Sequence, residues 1–484
     1  MIYRLLSQQA KLRPDKIAVA GEHSALTYGE LLDQVQKKAA FFQSLKLKAG
    51  DSILVGLPPS PEFYVVLHAA AAVGITTIPV LPSEKIPDAI LNSNPSLAIG
   101  GELFLREVQK VFTGLKATVL WDPKEGLRTP DPAFSFKPRK LVRQEGVLAS
   151  FSSGTTGTPL LYLRSAEMLV ERAGLRAQIL GMNSADALLA TRPFNNGGSI
   201  HQYVFLPLFA GCKVVVRPKF ERFAALRAIA QERVTILYAV PFIFEMLASI
   251  PAFHHADLSS LRLCISGGAA LSRSVWERFY QRFGIRIRQF YGGNQISPAF
   301  SYSLSGLPDT VGHVSGPFPM AIVDDRGTAL GPGEVGEIAF DYARIPPAWR
   351  KHLRDNPNRA GRYIHSGDLG KIDRDGNLYI LGRKSPFIKV GGNRVEPAEV
   401  EKVLRDHPDI NDAVVYPLNP GQPDEAVAAL LVSDKKLTAR EILRHCVRLL
   451  EGHKCPRKIE FRKRLPRNAH GKIMRHLFER GEEA

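Results

Sequence analysis

Short apolar runs rich in Val, Ile and Ala alternate with amphipathic stretches through the first 380 residues. Residues 52–58 have the pattern of a buried strand and are followed by a helical pattern over 61–73. The same order recurs at 235–240 and 241–250. This alternation is typical of βαβ units, so it predicts an α/β fold with mostly parallel sheets covered by helices.

The most apolar window runs from residue 63 to 81 and contains His68 and Gly74. These residues and the prolines that follow favour a buried helix and then a strand over a membrane span. The first 20 residues lack the apolar centre of a signal peptide, and the four cysteines are scattered. We therefore expect a cytoplasmic protein with free thiols and no membrane span.

The last hundred residues have the pattern of a small α+β domain. The predicted elements are a helix over 396–407, strands at 413–418 and 426–433, a helix from about Thr438 and a short strand at 458–465. A glycine, charged residues and a proline at 382–386 predict a hinge. We therefore expect a large domain over 1–383 and a small α+β domain over 384–484.

The segment from Ala149 to Pro159 is rich in serine, threonine and glycine and is bordered by apolar residues. Glycines let the backbone approach an anion, and successive N–H groups and short hydroxyls bind its oxygens from several sides. A phosphate-binding loop is one interpretation, and a plain polar turn is the other. Evidence from other parts of the chain is needed to choose between these two interpretations.

Three later segments supply that evidence, at 286–297, 363–401 and 452–475. Taken in order with the hydroxyl-rich loop, they resemble the motif series of the ANL superfamily of AMP-forming adenylating enzymes. This superfamily includes acyl- and aryl-CoA synthetases, adenylation domains of peptide synthetases, and luciferases. The resemblance extends along nearly the whole chain. It implies a large adenylate-forming domain, a mobile C-terminal lid, ATP and Mg²⁺ as cofactors, and a thiol as acceptor.

The resemblance also implies roles for four charged residues. Lys472 matches the lysine that contacts both the substrate carboxylate and the α-phosphate as they react. Lys389 matches the lysine of the second half-reaction, in which a thiol attacks the acyl-adenylate. Asp368 matches the aspartate that accepts hydrogen bonds from the ribose hydroxyls, with Arg383 beside it. A separate turn at 375–376 already supplies the local hairpin signal, which leaves Asp368 for a ligand.

The remaining matched positions form the walls of the expected site. Those implied to bind the nucleotide are Ser152, Ser153, Gly154, Thr155, Thr156, Gly268, Ala269, Tyr291, Gly292 and Asn294. Those implied to bind the acid are Asn195, Asn196, Gly198, Tyr238, Gly267 and Gly293.

Three positions depart from the superfamily's usual residues. Leu160 stands where most relatives have a lysine, which predicts a weaker hold on the β- and γ-phosphates. Asn294 replaces a phosphate-binding threonine, and its amide still donates to an oxygen. Gln295 replaces the glutamate that coordinates magnesium. A neutral amide is a poorer ligand for a hard dication, so we expect a raised magnesium requirement.

The nature of the acid is suggested by residues 192–211, which contain no Asp or Glu. Amino-acid-activating relatives place an aspartate near the position of Gly198 to pair with the substrate ammonium, so an α-amino acid is disfavoured. The Asn195-Asn196 pair resembles hydroxybenzoate-activating members, in which an asparagine binds a ring hydroxyl. This favours an aryl or hydroxyaryl acid. A short or medium aliphatic acid is the alternative, and the asparagine pair also suits a local turn.

The formal charge is +17, and residues 437–484 alone hold 13 Lys or Arg against 6 Asp or Glu. This segment lacks the interleaved aromatics, zinc ligands and helix-turn-helix pattern of nucleic-acid-binding proteins, so we expect no nucleic-acid partner. A basic surface attracts CoA phosphates or an acidic carrier protein equally well. The sequence therefore predicts an acid–thiol ligase with an open choice of thiol. A catalytically impaired nucleotide-binding homologue is the non-enzymatic alternative.

Overall fold

The structure is a computed structural model in which contacts group the chain into two compact units. Unit 1 comprises Met1–Leu237 and Ala256–Arg262, and unit 2 comprises Tyr238–His255 and Leu263–Ala484. The predicted domain boundary at residue 383 stays a prediction. The structure describes residues 1–484 except 82–89, 91–92, 123–124, 128–145, 152–160, 252–255, 293–299, 303–308, 316–318, 346, 348–349, 351–352, 355, 357, 385–387, 391–392, 421, 423, 468–472, 474–475 and 480–484.

Unit 1 is built from helices and mostly parallel strands. Its helices are α1 (Ile2–Leu12), α2 (Tyr28–Ser44), α3 (Pro61–Val73), α4 (Glu102–Val111), α5 (Ala166–Ile179), α6 (Gly197–Ile200), a π-helical turn at His201–Phe205, α7 (Leu206–Ala210) and α8 (Arg222–Gln231). Its strands are β1 (Ile17–Ala20), β2 (Ala25–Thr27), β3 (Ser52–Gly56), β4 (Thr76–Pro79), β5 (Leu97–Gly100), β6 (Ala117–Asp122), β7 (Gly126–Leu127), β8 (Gly146–Phe151), β9 (Leu161–Ser165), β10 (Ala187–Leu189) and β11 (Lys213–Val215).

One sheet of unit 1 has the strand order β7-β6-β5-β3-β4-β8-β9. Strands β6, β5, β3, β4 and β8 run parallel, and β9 returns antiparallel to β8. Strands β10, β11 and β1 are also parallel to one another, with β2 antiparallel to β1. The parallel-rich α/β fold is confirmed.

Helix α3 shows why the most apolar window does not need a membrane. Ser60 caps the helix by accepting a hydrogen bond from the Phe63 N–H, and Pro61 occupies its first position. All of its residues except Glu62 are buried. A helix that is apolar on every side belongs in a protein core. The predicted helix and following strand are confirmed, and no helix of the described chain is long and apolar enough to cross a bilayer.

Unit 2 begins within β12 (Ile236–Ala239), whose last two residues belong to it. Its helices are α9 (Pro241–Ala248), α10 (Arg273–Phe283), α11 (Pro397–Arg405), α12 (Ala439–Leu449) and α13 (His476–Glu479), with 3₁₀ turns at Tyr342–Arg344 and Gly452–Lys454. Its further strands are β13 (Leu263–Gly267), β14 (Ile287–Tyr291), β15 (Phe300–Tyr302), β16 (His313–Ser315), β17 (Met320–Val323), β18 (Gly336–Asp341), β19 (Arg359–Ala360), β20 (Tyr363–Ile372), β21 (Leu378–Arg383), β22 (Ile388–Val390), β23 (Asn393–Val395), β24 (Asp412–Leu418), β25 (Ala426–Val432) and β26 (Lys458–Phe461).

The strands of unit 2 form three main groups. β13 and β14 pair in parallel, with β15 and β16 continuing antiparallel at their side. Strands β17, β18, β20, β19 and β21 form an antiparallel sheet. In the C-terminal region β24, β25 and β26 form a small sheet, and α11 and α12 contribute Val400, Leu404, Ile442 and Cys446 to the core beside it. Every element predicted for this region is present.

Candidate functional site

The carboxyl ends of β13 and β14 bring several predicted nucleotide-binding residues to one edge of a sheet. Gly267 ends β13, and in the parallel register it lies opposite Phe290, the residue before Tyr291. Gly268 follows with φ near +87°, a left-handed conformation that a residue with a side chain rarely adopts. Because ligands of open α/β sheets bind outside the carboxyl ends of the strands, this edge is a suitable place for the nucleotide.

Tyr291 and Asp368 meet at this edge. The Tyr291 hydroxyl donates to Asp368 Oδ2 over 2.6 Å, and the Asp368 backbone N–H donates to the Ser366 hydroxyl over 3.0 Å. Asp368 lies within β20, directly opposite Arg383 of β21 in the antiparallel register. The structure thus brings together three residues whose proximity was implied only by resemblance. One carboxylate oxygen of Asp368 is oriented by a fixed phenol rather than by a turn.

Two aromatic rings and a buried serine lie on the strands beside Tyr291. The Tyr238 ring packs edge-on against Phe290, with centroids 5.6 Å apart. Ser266 is buried, and its hydroxyl makes no hydrogen bond with any residue that the structure describes. A buried hydroxyl without a partner is costly, so a ligand that reaches it is stabilised.

The two asparagines predicted to bind the acid have different roles in unit 1. Asn196 caps α6, because its Oδ1 accepts a hydrogen bond from the Ser199 N–H over 2.9 Å. Asn195 Oδ1 is buried and finds no hydrogen-bond donor within the described parts of the chain. The local-turn interpretation therefore fits Asn196, while Asn195 keeps an acceptor for a ligand. Gly198 lies in the first turn of the same helix.

A buried basic cluster surrounds His201, the residue that follows α6, and was not among the predicted features. Arg164, Arg172 and Arg176 are each at most 5% exposed. Burial, and then these three guanidiniums, hold the pKa of His201 well below its usual range, so this imidazole is neutral. One signal could have revealed part of the cluster. Successive side chains of a strand point to opposite faces, so in β9 Arg164 lies on the face opposite the exposed Leu163.

Arg164 also explains a glycine at the start of α6. Its Nε lies 3.3 Å from the Ser150 hydroxyl, and a Cβ added at Gly197 would approach both atoms within 2.6 Å. The guanidinium therefore occupies the space that a side chain at this position would need. Because β8 leads directly into the hydroxyl-rich loop, Arg164 joins the base of that loop to the helix that carries the asparagines.

Lys389 lies on β22 in the C-terminal region, with its side chain exposed and its backbone N–H donating to Glu425 over 3.0 Å. Val390, the next residue, faces the other way and lines a cavity of about 360 Å³. The polar residues around this cavity are Asn393, His453 and Arg457. A basic cavity thus lies on the opposite face of the strand that carries Lys389.

Several predicted positions cannot be placed, because they lie outside the described residues. They are Ser152, Ser153, Gly154, Thr155, Thr156, Leu160, Gly293, Asn294, Gln295 and Lys472. Arg383 is described by its backbone alone. Gly292 and Ala269 are described: Gly292 follows β14 directly, and Ala269 comes after Gly268 at the end of β13.

Comparisons with known proteins cover almost the whole chain. The model of the family described as AMP-binding enzyme matches residues 6–343, and that of the AMP-binding enzyme C-terminal domain matches residues 399–472. Indoleacetate–CoA ligase of Aromatoleum aromaticum is 27% identical, and the match covers 97% of this chain and 95% of that protein. A long-chain-fatty-acid–CoA ligase of Bacillus subtilis is 25% identical, with 97% and 92% covered.

Solved structures share the architecture. Anthranilate CoA ligase AuaEII in complex with anthranoyl-AMP superposes with a TM-score of 0.87 at 22% identity, covering 100% of this chain and 97% of that one. At this identity the likeness establishes the fold alone.

Proposed function

Because this chain belongs to the AMP-binding enzyme family, within the ANL superfamily of AMP-forming adenylating enzymes, we propose that it converts an aryl acid into its CoA thioester through an acyl-adenylate. The chain is an AMP-forming acid–thiol ligase. In the first half-reaction the carboxylate attacks the α-phosphate of ATP and pyrophosphate leaves. In the second, a thiolate attacks the acyl carbon and AMP leaves.

The observation that best supports a working nucleotide site is the hydrogen bond from Tyr291 to Asp368 at the carboxyl ends of the parallel strands. The phenol fixes one carboxylate oxygen of Asp368, and ribose hydroxyls would donate to this carboxylate. We assign Asp368 to the ribose, Gly268 and Ala269 to the adenine, and Mg²⁺ to the ATP phosphates.

Asn195 supports the aryl preference. Its buried Oδ1 lacks a donor within the described chain, and a ring hydroxyl or ring N–H of the acid would supply one. A purely aliphatic acid would leave this oxygen unsatisfied, which costs about 1–3 kcal/mol. The two relatives named above act on an aryl acid and on a fatty acid, respectively. The choice between the two acid classes therefore rests on Asn195.

The cavity on the reverse of β22 supports CoA over a carrier protein. At about 360 Å³ it is large enough for a small aromatic group, and Arg457 in its lining supplies a positive charge for a phosphate. CoA carries an adenine and phosphates beyond its thiol, whereas a carrier protein presents only the phosphopantetheine arm at this point. We assign the cavity to the nucleotide end of CoA, with Lys389 facing the reaction.

The test is ATP–pyrophosphate exchange with the purified full chain across matched acids: benzoate, hydroxybenzoates, indoleacetate, hexanoate and phenylalanine. We expect hydroxyaryl acids to give the highest kcat/KM, and Asn195→Ala to remove most of their advantage over hexanoate. A preference for hexanoate that Asn195→Ala leaves unchanged would contradict the aryl assignment. Absence of exchange with every acid would identify an impaired homologue.

The acceptor is tested by thioester formation with CoA, free phosphopantetheine and a purified acyl carrier protein. Arg457→Gln should raise the KM for CoA about 10-fold through loss of a charged hydrogen bond and leave the KM for phosphopantetheine unchanged. Arg444→Gln, which removes an exposed charge from the same region, is the matched control. Saturation at lower concentrations of the carrier protein than of CoA would reverse the assignment.

A further inference from the structure

Strand β20 bulges at residues 366–368. Ala339 of β18 lies opposite His365, whereas Glu337 of the same strand lies opposite Leu369. An advance of two residues along β18 therefore corresponds to an advance of four along β20, and the longer chain bends out of the ladder. A bulge redirects side chains and leaves backbone groups without partners in the ladder. The backbone groups of this segment therefore need partners elsewhere.

Two side chains supply these partners. The Gly367 N–H donates to Glu337 Oε1 over 3.0 Å. The Asp368 N–H donates to the Ser366 hydroxyl over 3.0 Å, and the same hydroxyl donates to the Ile338 carbonyl over 2.6 Å. Gly367 has φ near +72°, in the left-handed region that favours glycine. A carboxylate and a hydroxyl thus hold the bulge where the ladder does not.

The Glu337 carboxylate is itself held in place. Lys384 Nζ lies 3.0 Å from Glu337 Oε2, and His365 Nδ1 lies 3.1 Å from the same oxygen. Only 7% of Glu337 is exposed. Burial acts to raise the pKa of this carboxyl, but the hydrogen bonds from Lys384, the Gly367 N–H and His365 together bring the pKa below its usual value. Glu337 is therefore a fixed, charged acceptor for the Gly367 N–H.

The bulge ends at Asp368, the residue assigned to the ribose. Both backbone groups of Gly367, the preceding residue, have partners, because its carbonyl accepts from the Lys384 N–H over 2.8 Å. The side chain of Asp368 is held separately by the Tyr291 hydroxyl. A substitution that releases the backbone at Gly367 would therefore displace the carboxylate without removing any group that meets the nucleotide.

We propose that Glu337 is a positioning residue for nucleotide binding, which aims the Asp368 carboxylate at the ribose by holding the bulge at Gly367. The proposal rests on the assignment of Asp368 to the ribose made above. It gives Glu337 no contact with the nucleotide or the acid. The effect of Glu337 is confined to the hydrogen bonds of the ribose hydroxyls and does not extend to the adenine or the phosphates.

The test compares the binding of ATP with that of 2′,3′-dideoxy-ATP, which lacks both ribose hydroxyls. Isothermal titration of the full chain gives the two Kd values. The wild type should prefer ATP about 10- to 100-fold, because hydrogen bonds to a charged group have effects of this size. Glu337→Ala should lower this preference about 10-fold, since small displacements of a positioned group are costly. Its Kd for dideoxy-ATP should equal that of the wild type.

Two further variants separate the hydrogen bonds of the bulge. Glu337→Gln keeps an amide oxygen for the Gly367 N–H, so it should retain most of the preference for ATP. Ser366→Ala leaves the Asp368 N–H without its acceptor, so it should lower the preference as Glu337→Ala does.

Asp325→Asn is the matched control, because its exposed carboxylate is a second partner of Lys384 Nζ, at 2.9 Å. Its preference for ATP should equal that of the wild type. An unchanged preference in Glu337→Ala would overturn the proposal. Equal weakening of both nucleotides would also overturn it, because a general loss of structure has that effect. If Glu337→Ala does not fold, Ser366→Ala provides the same comparison, and an unchanged preference there overturns the proposal.

A second measurement needs no nucleotide. Hydrogen exchange in a peptide covering 363–370 should be faster in Glu337→Ala than in Asp325→Asn, because the Gly367 N–H has lost its acceptor. Equal protection in the two variants would show that Glu337 does not hold the bulge. A wild type that binds ATP and dideoxy-ATP equally, with faster exchange in Glu337→Ala, would count against the ribose assignment of Asp368 and not against the bulge. The two failures are therefore distinguishable.

Discussion

At the scale of single residues, Asp368 is the best-defined polar group of the candidate nucleotide site, since Tyr291 holds one of its oxygens. We expect Asp368→Asn to weaken ATP and AMP binding about 10- to 100-fold, because hydrogen bonds to a charged group contribute about 1.5–3 kcal/mol. Isothermal titration of each nucleotide measures this change. Asp375→Asn, an exposed carboxylate in the turn between β20 and β21, should bind both nucleotides as the wild type does. Equal affinities in both variants would contradict the ribose assignment.

Glu245 of α9 is a second residue whose surroundings predict a measurable property. Burial, and then the nearby Asp412 carboxylate, raise its pKa to about 7, against the opposing effect of Arg278 and Arg467. Between pH 4.5 and 7 the folded protein therefore holds a proton that the unfolded chain has released. The free energy of unfolding must fall as the pH rises through this window. The contribution of this group is fully present below pH 4.5 and lost above pH 7.

Glu245→Gln should remove this pH dependence, because the amide resembles the protonated acid at every pH. Relative to the wild type, we expect the variant to gain about 2 kcal/mol of stability between pH 5 and pH 8. Denaturant unfolding at both pH values measures the difference. Glu277→Gln on the exposed face of α10 should follow the wild-type pH dependence. If the free energy of unfolding fell equally with pH in Glu245→Gln and in the wild type, Glu245 would be ionised in the folded protein.

At the scale of elements, the contact between β21 and α11 is unusually close. Gly382 has φ near +153°, and a Cβ at this position would lie 1.9 Å from the Ala398 Cβ. Gly382→Ala should therefore force α11 away from the strand, with a loss of about 2–3 kcal/mol in stability. Thermal unfolding and hydrogen exchange across α11 would detect this change.

The double variant Gly382→Ala/Ala398→Gly tests whether the cause is steric. It removes the methyl group that the new Cβ meets, so it should recover roughly half of the loss. The rest of the lost stability should come from the strained backbone conformation at residue 382 and from the glycine introduced into α11. Ala398→Gly alone gives the reference for that helix effect. A double variant no more stable than Gly382→Ala would mean that the strain lies in the backbone and not in the contact.

The elements also show what the sequence could and could not predict. Helix α3 and the hairpin from β20 to β21 were predictable, because an apolar run with a cap and an Asp-Gly turn are local signals. The burial of Glu401 on α11 was not, because it depends on the Val415 N–H of β24, a separate element, as well as on Arg405 of its own helix. Arg164 is a similar case. A charged residue in an otherwise ordinary pattern is expected on the surface, and only tertiary contacts show that it is paired inside.

At the scale of the whole molecule, the resemblance determined the family and the fold, and both are confirmed. The acid, the thiol and the roles of individual residues stay predictions, because they depend on the geometry of a few side chains. Asn195 and Asn196 illustrate this limit. The two are identical in type and adjacent in sequence, yet one caps a helix and the other keeps a buried acceptor.

The last prediction concerns the roles of Lys389 and Lys472 in the two half-reactions. Two anions must meet in adenylate formation, so a lysine that bridges them contributes about 10²–10³ in rate. Lys472→Ala should therefore abolish pyrophosphate exchange and spare thiolysis of a supplied acyl-adenylate. Lys389→Ala should do the reverse, because the resemblance implies a C-terminal region that presents one lysine and then the other. Single-turnover assays of both steps measure this, with the exposed Lys436→Ala as the control. Loss of both steps in both variants would mean that one orientation serves the whole reaction.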